Sequence, residues 1–97
     1  EQNNVNLAIK LFEEAISLEE NAEPLLGLAS CLRIKDIKQA IQLAKKALAK
    51  DANYVNYEYR KEQLWGEKLQ NSTEILLQNE QLQKDVILAK SKINISS

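Results

Sequence analysis

The sequence predicts an all-α domain of antiparallel helical hairpins. Three observations carry that expectation. Apolar residues recur at i, i+3, i+4 and i+7 along most of the chain, the period of one helix face. One Pro and two Gly in 97 residues leave few turns for a β fold. A block near the N-terminus repeats about 32 residues later, a period typical of stacked helical units. Ninety-seven residues suit a single small domain.

The organising stretch runs from Ala22 to Ala52. Its first half places Leu25, Leu28, Ala29 and Leu32 on one helix face. Its second half does the same with Ile37, Ala40, Ile41, Ala44, Ala47 and Leu48. The turn falls at Lys35-Asp36, and Asp36 is the expected N-cap of the second helix. So short a turn makes the two helices antiparallel. Small residues at Ala29, Ala40, Ala44 and Ala47 allow a close approach.

Upstream, a helix is expected over residues 4–19, with Leu7, Ala8, Leu11, Phe12, Ala15 and Ile16 on a wide apolar face. A shift of about 32 residues lays Val5 on Ile37, Ala8 on Ala40, Ile9 on Ile41, Leu11 on Leu43, Ala15 on Ala47 and Ile16 on Leu48. Pro24 suits the first turn of the helix over 23–34, where its missing N–H is no loss. Gly27 lies inside that helix, at a cost of about 1 kcal/mol relative to Ala. A close helix approach explains it best; a backbone exposed to a peptide is the functional alternative.

Downstream of Asp51 the pattern changes. All three tyrosines and the only tryptophan fall between Tyr54 and Trp65. Tyr54, Val55 and Tyr57 are expected to be partly extended. A helix over 56–70 then points Tyr57, Leu64, Trp65 and Leu69 inward, and the aromatic cluster plugs the core. Asn71 and Glu74 have the spacing of a capping box, which starts a last helix over 73–93. Ile75, Leu82, Val86, Ala89 and Ile93 set its inner rhythm. Its segment Val86-Ile87-Leu88 is expected to project past the bundle.

The central pattern resembles the tetratricopeptide repeat family. The family's first-helix motif reads Leu25, Leu28, Ala29, Leu32 here. Its second-helix motif reads Ala8, Phe12, Ala15 upstream and Ala40, Ala44, Ala47 in the central unit, where Ala44 replaces an aromatic. Glu20 and Ala52 stand where the family closes with Pro, and the turn is one residue short. The resemblance covers residues 3–52. It implies hairpins stacked as a short right-handed superhelix with a long C-terminal capping helix. On that reading residues 1–21 are the second helix of a partial repeat, 22–52 a complete repeat, and 53–97 a degenerate repeat with its cap. The chain is then expected to be the C-terminal piece of a longer array.

Chemistry by this chain alone is disfavoured. There is no histidine and a single cysteine, Cys31, so Cys/His metal sites, disulfides and thiol pairs fall out by counting. Glu13-Glu14 and Glu19-Glu20 are adjacent on a helix and diverge. No cofactor and no metal is expected. Cys31 reads as a buried thiol in a reducing, cytoplasmic setting. No run of about 18 apolar residues marks a membrane span.

Function is therefore expected to be protein binding. Repeat solenoids present a concave surface lined by the first helix of each hairpin. That places Glu23, Leu26, Ser30 and Arg33 in a groove for another protein or a peptide. A second expectation is self-association, most simply a two-fold homodimer, through Leu7 and Leu11 or through Val86 and Ile93. A structural role, as the cap of a longer solenoid, is one alternative. The other is weak binding of nucleic acid or anionic membrane by the lysine-rich helix at 35–50. Arg33 to Asp51 carries six positive and two negative residues, while residues 1–23 carry six Glu and one Lys. Net acidity and scarce Arg disfavour the nucleic-acid and membrane readings. The opposite charges instead suggest complementary rows, Glu13 beside Lys45 and Glu14 beside Lys46.

Overall fold

The computed structural model describes residues 2–95, and the side chains of residues 4–93. It holds six α-helices and no strand among the described residues: α1 (Gln2–Leu18), α2 (Ala22–Leu32), α3 (Ile37–Lys50), α4 (Tyr57–Glu62), α5 (Glu67–Leu77) and α6 (Gln83–Ile95). Two short 3-10 turns, Ala52–Val55 and Glu80–Leu82, join α3 to α4 and α5 to α6. No helix among the described residues is long and apolar enough to cross a membrane.

Short Asx residues set four of the eight helical starts. The Asp36 carboxylate accepts the Gln39 N–H (3.1 Å) and caps α3 as expected. Asp51 accepts the Asn53 N–H (3.0 Å) and opens the first 3-10 turn. Asn56 accepts the N–H groups of Glu58 and Tyr59 and opens α4. Asn79 accepts the Gln81 N–H (2.8 Å) at the second 3-10 turn. Each side-chain oxygen satisfies a backbone donor that a helix start leaves without a partner.

The core forms around the α2–α3 hairpin. Leu25, Leu26 and Ala29 of α2 meet Ala40, Ile41, Ala44, Ala47 and Leu48 of α3, and all are buried. The alanines serve as the sequence suggests, by letting backbones approach. The aromatic plug is also present. Tyr54 meets Tyr59 edge to face with centroids 5.0 Å apart, and Trp65 lies 6.1 Å away. Burial pushes the Tyr54 phenol up to about 12, with Glu23, Tyr59 and Asp51 adding to it.

Helix α1 packs on α2 through a ring-into-gap contact. A Cβ built on Gly27 would lie 2.5 Å from Cζ of Phe12. Gly27 is thus the close approach that its place inside a helix demands. The charge rows expected between α1 and α3 do not form. Lys46 and Lys50 reach Glu20 at the end of α1 (3.0 and 3.7 Å), and Lys45 reaches Asp85 on α6 (2.9 Å). Both lysines near Glu20 hold its carboxyl below the ordinary range, Lys46 chiefly by its hydrogen bond.

After Asp51 the structure departs from the expected boundaries. Tyr54 and Val55 are in a 3-10 turn, not extended. The helix expected over 56–70 breaks after Glu62 and resumes at Glu67, and the helix expected over 73–93 breaks between Leu77 and Gln83. Asn71 lies mid-helix in α5, so the capping box does not form; Gly66 precedes the first residue instead. The first break has a clear cause. The Leu64 N–H bonds the Lys61 carbonyl (3.0 Å) and the Trp65 N–H reaches back to the Arg60 carbonyl (3.1 Å). This is the Schellman pattern, and it puts Leu64 in the left-handed region at φ 69°. The turn throws the Leu64 side chain into solvent and swings Trp65 into the core. Tyr57 is likewise exposed, and of the four residues expected inward only Trp65 and Leu69 pack against the core.

Leucine in that backbone region costs roughly 1–2 kcal/mol, which a glycine would not incur. Leu64→Gly is therefore expected to leave stability unchanged or raise it by up to about 1 kcal/mol, after its larger unfolded-state entropy is counted. Urea unfolding measures this directly. A loss above about 1 kcal/mol would show that the Leu64 side chain contributes packing here.

Candidate functional site

The four residues expected to line a groove are already occupied by the chain itself. Helix α5 lies along the outward face of α2. Glu23 accepts the indole N–H of Trp65 (3.1 Å). Leu26 is wholly buried in the core. Ser30 meets Thr73 hydroxyl to hydroxyl at 2.6 Å. Arg33 donates from Nε to the Ser72 hydroxyl (3.2 Å), which in turn donates to the Ser30 carbonyl (2.8 Å). Glu23, Leu26, Ser30 and Arg33 thus form a seam between two helices. The face is apolar with a few polar teeth, and α5 supplies its complement.

The Ser30–Thr73 contact shows how the seam is satisfied. Ser30 Oγ also lies 2.9 Å from the Leu26 carbonyl, and Thr73 Oγ1 lies 2.8 Å from the Leu69 carbonyl. Two hydroxyl protons serve three contacts, so one hydroxyl donates across the seam and the other donates to its own helix. Both groups are buried, and neither is left without a partner.

A buried guanidinium holds α5 in place. Arg60 is 0% exposed. It donates to Gln70 Oε1 (2.7 Å), to the Tyr54 carbonyl (3.0 Å) and to the Glu74 carboxylate. Its Cζ stands 6.0 Å from the Trp65 ring centroid. Burial lowers the Arg60 pKa, and Glu74 opposes that shift. Gln70 then donates to the Tyr57 carbonyl (3.0 Å). Three segments, the first 3-10 turn, α4 and α5, are tied to one side chain. Sequence reasoning missed this hub, since an Arg beside Lys61 and Glu62 reads as a solvated charge. Leu69, Thr73 and Leu76 at i, i+4 and i+7 were the signal that a helix runs through Asn71.

No family model, curated protein or solved structure matches the chain.

Two open clefts lie among the described residues. One, of about 300 Å³, is lined by Arg33, Ile37, Ile75, Leu76, Gln78 and Asn79. The other, of about 350 Å³, is lined by Val55, Asn56, Tyr57, Glu74, Lys90 and Ile93. Cys31 is half-buried, and burial raises its thiol pKa, the opposite of activation. The lysine face is largely engaged. Lys45, Lys46 and Lys50 hold acids, and Lys35 donates to Asn6 (2.7 Å).

The surfaces that do stay open lie on the first and last helices. No residue of α1 from Asn4 to Leu18 is buried. Leu7 and Leu11 are each 55% exposed, and Leu18 more so. Of the other self-association candidates, Val86 is buried and Ile93 packs against the core. The residues that face out on α6 are their neighbours Ile87 and Leu88. Val86 shares the inward register of Leu82 and Ala89, which one helix face requires.

If the Arg60 hub holds α5 over α2, truncating it is costly. Arg60→Ala strips the buried Gln70 oxygen and Tyr54 carbonyl of their donor, and about 3–5 kcal/mol is expected to be lost. Glu74→Ala should cost less, since Glu74 is partly solvated and water replaces it. Chemical denaturation of both variants gives the ranking. Equal costs, or a larger cost for Glu74→Ala, would move the anchor away from Arg60.

Proposed function

We propose that the chain is a non-enzymatic protein-interaction module of helical hairpins, similar to the tetratricopeptide repeat. Its binding surface is the outer face of α1. A cytoplasmic setting fits the single unpaired cysteine.

One observation carries this reading: α1 is apolar on two sides. Ala8, Ile9, Phe12 and Ile16 are half-buried toward the body of the protein. Leu7, Leu11 and Leu18 fall within about 40° of one another on the helix, roughly 140° round from Phe12 and Ile16. Among the described residues nothing lies over that second stripe. At the positions a repeat later, Leu7 and Leu18 become Gln39 and Lys50. Leu7 and Leu18 are thus specific to α1, whereas Leu11 has a leucine counterpart at Leu43. A stripe of large apolar side chains on a small domain marks a contact surface. The helix-in-groove mode uses such i, i+4 and i+11 anchors. The concave-face alternative loses support, because α5 fills that face. Binding of nucleic acid or membrane by the lysine helix loses support as well, because Lys45, Lys46 and Lys50 are ion-paired within the chain and Lys35 donates to Asn6.

A photoreactive benzophenone side chain at Leu11 tests the proposal, with the same group at exposed Glu62 as the control. Irradiation with cell extract is expected to give a discrete protein adduct at position 11 and none at 62. Excess wild-type chain should compete the adduct away, and Leu7→Glu plus Leu11→Glu chain should not. Adducts of equal pattern at both sites, or none at position 11, would contradict an interaction face on α1.

A further inference from the structure

The open stripe on α1 has a counterpart on α6. Val86 and Ala89 turn into the core, so Lys84, Ile87, Leu88 and Ser91, spaced i, i+3, i+4 and i+7, share the opposite side. Ile87 is 66% exposed and Leu88 is 56% exposed, as open as Leu7 and Leu11 on α1. The two stripes belong to different parts of the molecule. Helix α1 packs on α2, whereas α6 packs on α3 and the first 3-10 turn.

Their charges are opposite. Glu14 adjoins the α1 stripe, and Glu13 further round the helix and Glu19 just past its end are also exposed, against one Lys10. Around the α6 stripe stand Lys84, Lys90 and Lys92, and the one acid there, Asp85, is held by Lys45. None of those three glutamates or of those three lysines has an ion-pair partner among the described residues. Pairing α1 with a second α1 would set acid against acid, and pairing α6 with a second α6 would set lysine against lysine. Both like-with-like contacts are unfavourable.

We infer that the occupant of the α1 stripe is the α6 stripe of a second copy of this chain, docked head to tail. Leu7, Leu11 and Leu18 meet Ile87 and Leu88, with the α1 glutamates flanked by the α6 lysines. This rests on α1 being an interaction face and names its partner. The contact is heterologous, so each copy keeps one stripe free and growth does not stop at a dimer. One helix pair buries less than the roughly 1,200 Å² of a standard interface, so the association is weak and rapidly reversible. The flanking charges make it sensitive to salt.

Sedimentation velocity on the full chain, up to several hundred micromolar and at low salt, tests the inference. Wild type is expected to sediment faster as concentration rises, with no plateau at a dimer, and to revert toward monomer in about 1 M salt, where the Debye length is about 3 Å. Two variants then separate the ends: Leu7→Gln plus Leu11→Gln, and Ile87→Gln plus Leu88→Gln. All four side chains are more than half exposed, so the fold is expected to survive, which far-UV circular dichroism checks. Each variant alone should be monomeric. An equimolar mixture should form a one-to-one complex and nothing larger, because one variant supplies an intact α6 and the other an intact α1. A monomeric wild type overturns the inference. So does a dimer that is lost in the α1 variant and retained in the α6 variant. A monomer whose Leu11 cross-link to another protein persists overturns head-to-tail docking alone and leaves the α1 interaction face standing.

Discussion

One guanidinium inside a domain of this size constrains everything after Asp51. Arg60 cannot discard its charge, so the fold must bring it acceptors. It draws them from a backbone carbonyl before α4, an amide on α5 and a carboxylate one turn further along α5. A six-residue helix such as α4 has little stability of its own. The Arg60 contacts supply what the helix lacks, and they fix where α5 begins its run. The strained turn at Leu64 has the same origin, since it swings Trp65 back toward Arg60. The direction of α5 in turn decides that α2 is covered. The closed groove therefore depends on the buried Arg60 of α4, whose contacts with Gln70 and Glu74 hold α5 where a short helix alone would not.

Covering α2 shifts the exposed surface to the ends of the chain. Helix α1 docks with the Phe12 ring over Gly27 and with Ile16 against the core. It gains no neighbour on its other face. Helix α6 closes over α3 and keeps Ile87 and Leu88 outside. The seam between α2 and α5 is fully satisfied, with indole to carboxylate, hydroxyl to hydroxyl and guanidinium to hydroxyl contacts. A satisfied seam has little to offer a ligand. Unsatisfied apolar stripes do, and these lie on the two terminal helices.

The first half of the fold was legible because its signals agree. Periodicity, the Asp36 cap and the small residues of α3 all point to one hairpin, and the structure has it. The second half was not, because its residues carry two readings. Asn71-Ser72-Thr73-Glu74 has the composition of a helix start, yet the structure uses these side chains sideways. Ser72 and Thr73 bond across to α2 and back to their own helix, and Glu74 bonds Arg60. Polar Gln78 and Asn79 read as a gap in one long helix, whereas Asn79 caps a new turn. The site residues follow the same division. Leu7 and Leu11 were singled out from the apolar face of the first helix, and both are more than half exposed. Glu23, Leu26, Ser30 and Arg33 were placed in a groove because the partner helix was given the wrong bounds. Val86 was given both an inward place with Leu82 and Ala89 and a place in a projecting segment, and the inward spacing is the one the structure has.

The claim at the centre of this account is that α5 covers α2 while α1 stays open. Thiol accessibility measures it most directly, in a Cys31→Ala background with a single new cysteine at Leu11 or at Ser30. Cys at position 11 is expected to react with a thiol reagent at nearly the rate of an unstructured peptide. Cys at position 30 should react only through opening of the fold, slower by orders of magnitude. Comparable rates at the two positions would contradict it, because α2 would then be as open as α1.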